Sequence, residues 1–457
     1  AMLADTPIVT DLQSLVDEIG GRPTGEPANL RSVDWALERF RAIGVEAKKE
    51  AFTMPARWSE RSASATVGGD VSFWPRVVAM PFSAGTSSDG LTAPFLDGGA
   101  GAEADLARLG DRLKGAWVLV ETHELLDIDG LFREYTEATE IEARFLPAGV
   151  AGIVYMSSRP NGLLYRHNAS LGAGNTHPLL IMEREEAQRA LRLIRAGKRL
   201  IFTARLDLER GGSYESFNVI GEIRGRERPN DIVLIGAHLD SWGLGTGAND
   251  NGCNVALVID LARQIRRLGV LPRRTIRFTL WNGEEQGIIG SWGYTVTHAA
   301  ELDNHVMASS YDIGSGRITG FFTNGRADLV PLVDRALAPV NGLGPFDQID
   351  TPIVGTDNLD FMLSGVANLV ANQAPANYGP NYHARSDTFD KVDLRQLKLN
   401  AAIAASVTWG FANMDARLPR QSRAEVEKLM QTTDLGAQMK SMGMWKDWES
   451  GKRGIKD

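Results

Sequence analysis

Histidine and carboxylate side chains recur in this sequence where predicted strands end or a predicted helix begins. Short apolar runs that predict strands are each followed by such residues, and one further acid precedes the helix predicted at 254–268. The residues are His238, Asp250, Glu284, Glu285, Asp312 and His383. Because ligands in open α/β sheets bind beyond the carboxyl ends of the strands, we expect these side chains to meet there.

Imidazole and carboxylate groups in this number suit a pair of divalent cations. Zinc accepts both kinds of ligand, and catalytic zinc sites keep a position open for water. Two histidines and three carboxylates, one of them bridging, complete both ions and leave a charge of roughly +1, which stabilises hydroxide near neutral pH. The remaining acid of the Glu284 and Glu285 pair is then a candidate general base. Asp240 is a candidate partner that orients the His238 imidazole.

Each of these residues has a more ordinary explanation when it is taken alone. An isolated histidine such as His238 usually has a structural or surface role. Paired acids are common at solvated helix starts, and an Asp-Asn-Gly sequence such as that at Asp250 typically forms a turn or a helix cap. Cys253 is interpreted as a small packing residue rather than a soft ligand. The joint pattern at the strand ends is what favours a metal centre.

The elements that must position these residues alternate between strands and helices after residue 213. Strands are predicted at 232–235, 275–281, 306–309 and 366–371. The first of them is a continuous apolar run, as expected for a parallel strand that is covered on both faces. This alternation favours an open α/β sheet.

Residues 90–207 have a different sequence pattern from the rest of the chain and contain none of the candidate site residues. This predicts a domain inserted into a larger one. The predicted boundaries are 1–89 and 208–457 for the two parts of the main domain, with 90–207 between them. The tail after residue 418 is predicted to be helical, with its methionines forming a packing surface rather than a cofactor site.

Composition excludes several classes of protein. The chain of 457 residues has 49 basic and 57 acidic side chains, a net charge of −8 that argues against general nucleic-acid binding. A single cysteine, Cys253, excludes an internal disulfide framework. No apolar run reaches the length of a membrane span. No signal peptide is visible, and we expect a secreted or periplasmic protein from which the signal has been removed.

Five motifs together resemble those of the co-catalytic di-zinc exopeptidases, the family of the leucyl aminopeptidases and glutamate carboxypeptidase. They are His238-Leu239-Asp240-Ser241-Trp242, Gly247-Ala248-Asn249-Asp250-Asn251-Gly252, Trp281-Asn282-Gly283-Glu284-Glu285-Gln286-Gly287, Asp312 and Tyr382-His383. The likeness is strongest to the carboxypeptidase Q branch, also through Gly355-Thr356-Asp357 followed by Phe361. It implies a mixed, mostly parallel central sheet with helices on both faces and a β-rich protease-associated domain at 90–207.

The resemblance also implies a role for each motif and a cofactor of two Zn²⁺ per chain. Asp250 would bridge the ions, with a non-proline cis peptide bond before Asn251. The other metal ligands would be His238 and Asp312 for one ion, and Glu285 and His383 for the other. Glu284 would shuttle the proton, Tyr382 would donate to the oxyanion, and Asp357 would contact the substrate.

The predicted function is therefore an exopeptidase, either an aminopeptidase or a dipeptidase, that hydrolyses terminal bonds of short peptides with a metal-bridging hydroxide and a Glu general base. A homodimer is a further expectation. Two alternatives stay open. A glutaminyl-cyclase-like acyl transferase uses one zinc on a related fold, but the inserted domain argues against it. A non-catalytic, transferrin-receptor-like binding protein would have lost ligands, whereas here every ligand position is filled.

Overall fold

The computed structural model of the chain describes residues 2–126, 128–166 and 172–456. Its contacts divide the chain into two compact units. The first unit comprises Ala1–Met54, Tyr214–Asn381 and Asp387–Asp457, and the second comprises Pro55–Ser213 and Tyr382–Ser386. The residues that precede and follow the long second segment therefore belong to one unit.

The strands are numbered in chain order. They are β1 (Glu46–Met54), β2 (Arg57–Gly69), β3 (Val77–Ala79), β4 (Leu91–Asp97), β5 (Trp117–Val120), β6 (Gly152–Met156), β7 (Leu179–Met182), β8 (Leu200–Gly211), β9 (Tyr214–Ile223), β10 (Arg228–His238), β11 (Arg274–Trp281), β12 (His305–Ser310), β13 (Ile318–Phe322) and β14 (Asn368–Gln373).

The α-helices are numbered in the same way. They are α1 (Ile8–Gln13), α2 (Pro27–Ala42), α3 (Glu103–Leu109), α4 (Ile128–Phe145), α5 (Arg184–Arg195), α6 (Cys253–Leu268), α7 (Ile289–Thr297), α8 (Val330–Leu337), α9 (Asn358–Leu363), α10 (Tyr378–Asn381), α11 (Leu394–Asn413), α12 (Arg423–Thr432), α13 (Leu435–Ser441) and α14 (Trp445–Glu449). Within the described residues, none of these helices combines the length and apolarity needed to cross a membrane.

The sheet of the first unit has the strand order β1-β9-β11-β10-β12-β14-β13. Its four neighbours β11, β10, β12 and β14 run parallel, and antiparallel strands lie at both edges. The mixed, mostly parallel sheet is thus confirmed. Parallel strands point their carboxyl ends to one edge, which brings the residues after β10, β11 and β12 together.

The apolar run of β10 is buried on both faces of this sheet, as its sequence predicts. Val233 and Ile235 lie in a core that also contains residues of α1, α2, α6, α8 and α11. Ile232 and Leu234 point the other way, into a second core with Tyr294 of α7. Because successive side chains of a strand alternate between faces, only an uninterrupted apolar run satisfies both cores.

The second unit has its own mixed sheet, in the order β2-β8-β4-β5-β6-β7-β3, and contains helices α3, α4 and α5. It begins at Pro55, earlier than the boundary predicted at residue 90. The reason is the pairing of β2 with β8, which aligns Gly69 with Leu200 across a long stretch of intervening chain. The identification of this unit as a protease-associated domain stays a prediction.

Candidate metal centre and active site

His238 is the last residue of β10 and is 1% exposed. Its Nε2 lies 3.1 Å from Oδ1 of Asp250 and 2.9 Å from Oδ1 of Asp312. Its Nδ1 lies 3.1 Å from the carbonyl oxygen of Asp240. A carbonyl only accepts, so Nδ1 carries the proton and Nε2 is the nitrogen that can bind a metal. Three ligand atoms of the kind that zinc accepts therefore converge.

Asp250 lies in the turn Ala248–Gly252 that leads into α6. The peptide bond between Asp250 and Asn251 is cis, as predicted. The Asn251 amide donates to the carbonyl of Tyr311 at 2.8 Å, next to Asp312. An aspartate at position 251 has no N–H with which to make this bond.

Asp387 supports the same turn, although sequence reasoning did not identify it. Its Oδ1 accepts from the backbone N–H of Asn249 at 2.7 Å, and its Oδ2 accepts from the N–H of Asp250 at 3.1 Å. The side chain is 3% exposed. The only sequence feature that could have identified Asp387 is its position four residues after His383. Its contacts are to backbone atoms, which leave no pattern in the sequence.

The two acids after β11 differ in exposure. Glu285 is 3% exposed, and its Oε1 accepts from the backbone N–H of Trp242 at 3.2 Å. Glu284 is partly exposed. Burial, together with the carboxylates of Asp312 and Asp357, raises the pKa of the Glu284 carboxyl well above its usual range. Burial and the Asp250 carboxylate raise the pKa of the Glu285 carboxyl as well, so exposure is what distinguishes the two acids. The buried acid suits a metal ligand, and the more accessible acid suits a general base.

His383 makes two contacts to the backbone of Arg166. Its Nδ1 lies 3.1 Å from the carbonyl oxygen of Arg166, and its own carbonyl accepts from the Arg166 N–H at 2.9 Å. Its φ of 54° lies in the left-handed region, which non-glycine residues rarely adopt outside sites where the surrounding structure enforces it. The proton is again on Nδ1, which makes Nε2 the nitrogen suited to a metal.

Among the described residues, two groups can each hold a metal ion. One is His238, Asp250 and Asp312, and the other is Asp250, Glu285 and His383, with the ligand atoms of each group within 4.8 Å of one another. Asp250 belongs to both groups, as a bridging ligand would. The donor set of imidazole nitrogens and carboxylate oxygens, all on buried residues, therefore fits two zinc ions.

Asp240 is fully buried beside His238. Its backbone carbonyl is nearer to the imidazole than its carboxylate, whose Oδ1 lies 3.6 Å from Nδ1. The other carboxylate oxygen accepts from Thr24 at 2.7 Å and from the N–H of Gly283 at 3.0 Å. The carboxylate thus connects the loop after β10 to the turn that carries Glu284.

The roles of Tyr382 as an oxyanion donor and of Asp357 as a substrate contact stay predictions. The Tyr382 hydroxyl lies 2.9 Å from that of Tyr135, and its ring stacks on His383 with centroids 3.7 Å apart. Asp357 is 1% exposed, and burial raises the pKa of its carboxyl well above its usual range. Burial and the carboxylates of Asp250 and Asp312 also raise the pKa of the Tyr378 phenol above its usual range.

The sequence of this chain is similar to those of known peptidases. The model of peptidase family M28 matches residues 218–408, which contain every predicted site residue. Carboxypeptidase Q of Bos taurus is 26% identical over 90% of this chain and 86% of its own length. The probable lipoprotein aminopeptidase LpqL of Mycobacterium tuberculosis is 25% identical over 88% of this chain and 82% of its own length.

Solved structures of peptidases also superpose on this chain. A peptidase M28 precursor from Shewanella amazonensis superposes with a TM-score of 0.82 at 27% identity, and covers 92% of this chain and 96% of its own. BSAP, a zinc aminopeptidase from Bacillus subtilis, has a TM-score of 0.69 at 23% identity, with coverage of 89% and 95%. The second likeness bears on the fold alone.

Proposed function

We propose that this chain, which the model of peptidase family M28 matches over residues 218–408, is a zinc-dependent exopeptidase of that family which hydrolyses terminal bonds of short peptides. One observation carries the proposal. Two groups of metal-binding side chains share Asp250, and Glu284 follows the same strand as the ligand Glu285. Such a centre suits addition of water to an amide carbonyl.

His238, Asp250 and Asp312 would hold one zinc ion, and Asp250, Glu285 and His383 the other. When bound there, zinc supplies Lewis-acid polarisation of the scissile carbonyl and lowers the pKa of the attacking water. The chain's own contribution is to orient both imidazoles through backbone carbonyls, so that each presents Nε2.

Glu284 is the proposed proton carrier. Its carboxylate takes a proton from the attacking water as the new C–O bond forms, and returns it to the amine as the C–N bond breaks. Burial raises the pKa of the Glu284 carboxyl above its usual range, which favours its holding the proton between the two transfers. Water and peptide are consumed, and a carboxylic acid and an amine are released.

The substrate end and the cellular location are also part of the proposal. Free peptides or dipeptides are the proposed substrates, and Asp357 and Tyr382 the proposed contacts to them. A location outside the cytoplasm is supported by the description of the Mycobacterium tuberculosis relative as a lipoprotein. A glutaminyl-cyclase-like activity would need one zinc, so elemental analysis that finds two per chain argues for the exopeptidase.

Replacement of Glu284 tests the proposal. We expect Glu284→Gln to retain zinc nearly unchanged while kcat falls by about 10²- to 10⁴-fold, because the amide cannot carry the proton. Zinc content should be measured by elemental analysis of the protein. Kinetics should be measured with free dipeptides, N-blocked peptides and C-amidated peptides. Glu38→Gln, at an exposed position of α2, is the matched control and should behave as wild type. Parallel loss of zinc and activity in Glu284→Gln would contradict the assigned role.

A further inference from the structure

Residues 20–25 join the N-terminal helical turns to α2, and Arg22 at their centre is fully buried. The guanidinium donates to three backbone carbonyls of one loop: Nε to Leu239 at 2.5 Å, Nη1 to Thr246 at 2.8 Å and Nη2 to Gly247 at 3.0 Å. This loop, residues 239–247, connects the two metal-ligand residues His238 and Asp250. Burial lowers the pKa of Arg22 to about 10, so the guanidinium stays charged at neutral pH.

The same loop is packed backbone to backbone against residues 20–25. A Cβ on Gly21 would lie 2.7 Å from the carbonyl oxygen of Gly245 and 2.8 Å from the Cα of Gly243. Any side chain at position 21 would therefore displace the loop. The backbone N–H of Arg22 also donates to the Ser241 hydroxyl at 3.2 Å.

Thr24 connects this loop to the turn that carries the two acids. Its hydroxyl donates to Oδ2 of Asp240 at 2.7 Å and accepts from the N–H of Gly283 at 2.8 Å. Gly283 directly precedes Glu284. The loop makes a second contact to this turn, since the Trp242 N–H donates to Glu285 at 3.2 Å.

We propose that residues 20–25 are a positioning element of the metal centre: Arg22 fixes the loop between His238 and Asp250, and Thr24 couples that loop to the turn that carries Glu284. The inference rests on the proposed function. A planar guanidinium can hold several carbonyls at fixed angles, which an ammonium group cannot do. Arg22 and Thr24 act through ligand-bearing loops and are not catalytic residues.

Three variants and two matched controls test the proposal. Arg22→Lys keeps the charge but loses the planar guanidinium with its several N–H donors. We therefore expect zinc affinity, measured in competition with a chelator, to fall by about 10- to 100-fold. Thr24→Val is nearly isosteric, and we expect kcat to fall by about 10-fold or more with KM within about twofold, while Thr24→Ser restores kcat. Arg31→Lys and Thr53→Val, at exposed positions, are the matched controls.

Wild-type zinc affinity in Arg22→Lys together with wild-type kcat in Thr24→Val would overturn the proposal. The same conclusion follows if the variants only lower thermal stability and their folded fraction binds zinc and turns over substrate normally. Failure of the proposed function is a separate result, in which the wild type cleaves no peptide. The zinc-affinity comparison between Arg22→Lys and wild type still decides the inference in that case.

Discussion

Both histidines of the candidate metal centre are oriented by backbone carbonyls, those of Asp240 and Arg166. A carbonyl only accepts, so it favours the neutral tautomer that carries its proton on Nδ1 and leaves Nε2 available. The carboxylates of Asp240 and Asp387 serve a different purpose, because they accept from backbone N–H groups of the ligand-bearing turns. Residues outside the metal groups thus determine where the ligands lie.

Asp387 offers a test of this support. In Asp387→Asn one carboxylate oxygen becomes an NH₂ group, which cannot accept from the N–H of Asn249 or Asp250. We expect zinc affinity to fall by about 10-fold and the free energy of unfolding of the zinc-free protein to fall by about 1–3 kcal/mol. Chelator competition and urea unfolding measure the two effects. Asp207→Asn, at an exposed position of β8, is the control, and equal behaviour of the two variants would contradict the role of Asp387.

The structure brings His238, Asp250, Glu285, Asp312 and His383 together in two groups, and their role as zinc ligands stays a prediction. Their convergence could be expected from the sequence because few residue types bind zinc and because strand ends are recognisable. Arg22, Thr24 and Asp387 were not predictable, because their contacts to distant backbone atoms leave no pattern in sequence.

At the scale of elements, β12 begins with a buried histidine that the site does not use. Nε2 of His305 accepts from the Tyr294 hydroxyl of α7 at 2.8 Å, and Nδ1 donates to the carbonyl of Glu301 at 3.1 Å. Arg277 of β11 donates to the same tyrosine hydroxyl. Neutral His305 therefore completes a chain of hydrogen bonds that connects α7 to two strands of the sheet.

This histidine predicts a pH dependence of stability. Burial lowers the pKa of His305 to about 4, against about 6.5 in the unfolded chain. The unfolded state therefore binds more protons between these values, so the contribution is fully present above pH ~6.5 and is lost as pH falls towards ~4, up to about 3 kcal/mol. Urea unfolding of zinc-free wild type and His305→Gln should show a difference that shrinks over this range. A difference independent of pH would contradict the prediction.

Elements of the first unit were easier to predict than those of the second. The run at Ile232 is apolar throughout because two cores cover it, and the helix at 254–268 has a clear buried face and matches α6 within one residue. By contrast, β2 has few buried residues, and its partner β8 lies far along the chain. No local sequence feature marks such a strand as the start of a new unit. The sequence therefore predicts the boundary at residue 90 instead of at Pro55.

At the scale of the whole molecule, the C-terminal tail is an integral part of the first unit. Met430, Met439 and Met444 pack with Leu359 and Leu363 of α9 in one core, as expected for a packing surface.

An ion pair adds to the contact between the tail and the rest of the first unit. Arg453 forms a buried bidentate pair with Asp360 at 2.7 and 2.8 Å and donates to the carbonyl of Ile288 at 3.1 Å. Loss of one partner would leave a buried charge, so the tail and α9 are expected to fold together.

We propose that two zinc ions bind on either side of the Asp250 carboxylate. Anomalous diffraction at the zinc edge from crystals of the zinc-loaded protein tests it most directly. We expect two peaks about 3.5–4 Å apart, one beside His238 and Asp312 and the other beside Glu285 and His383. A single peak, or peaks remote from Asp250, would contradict it.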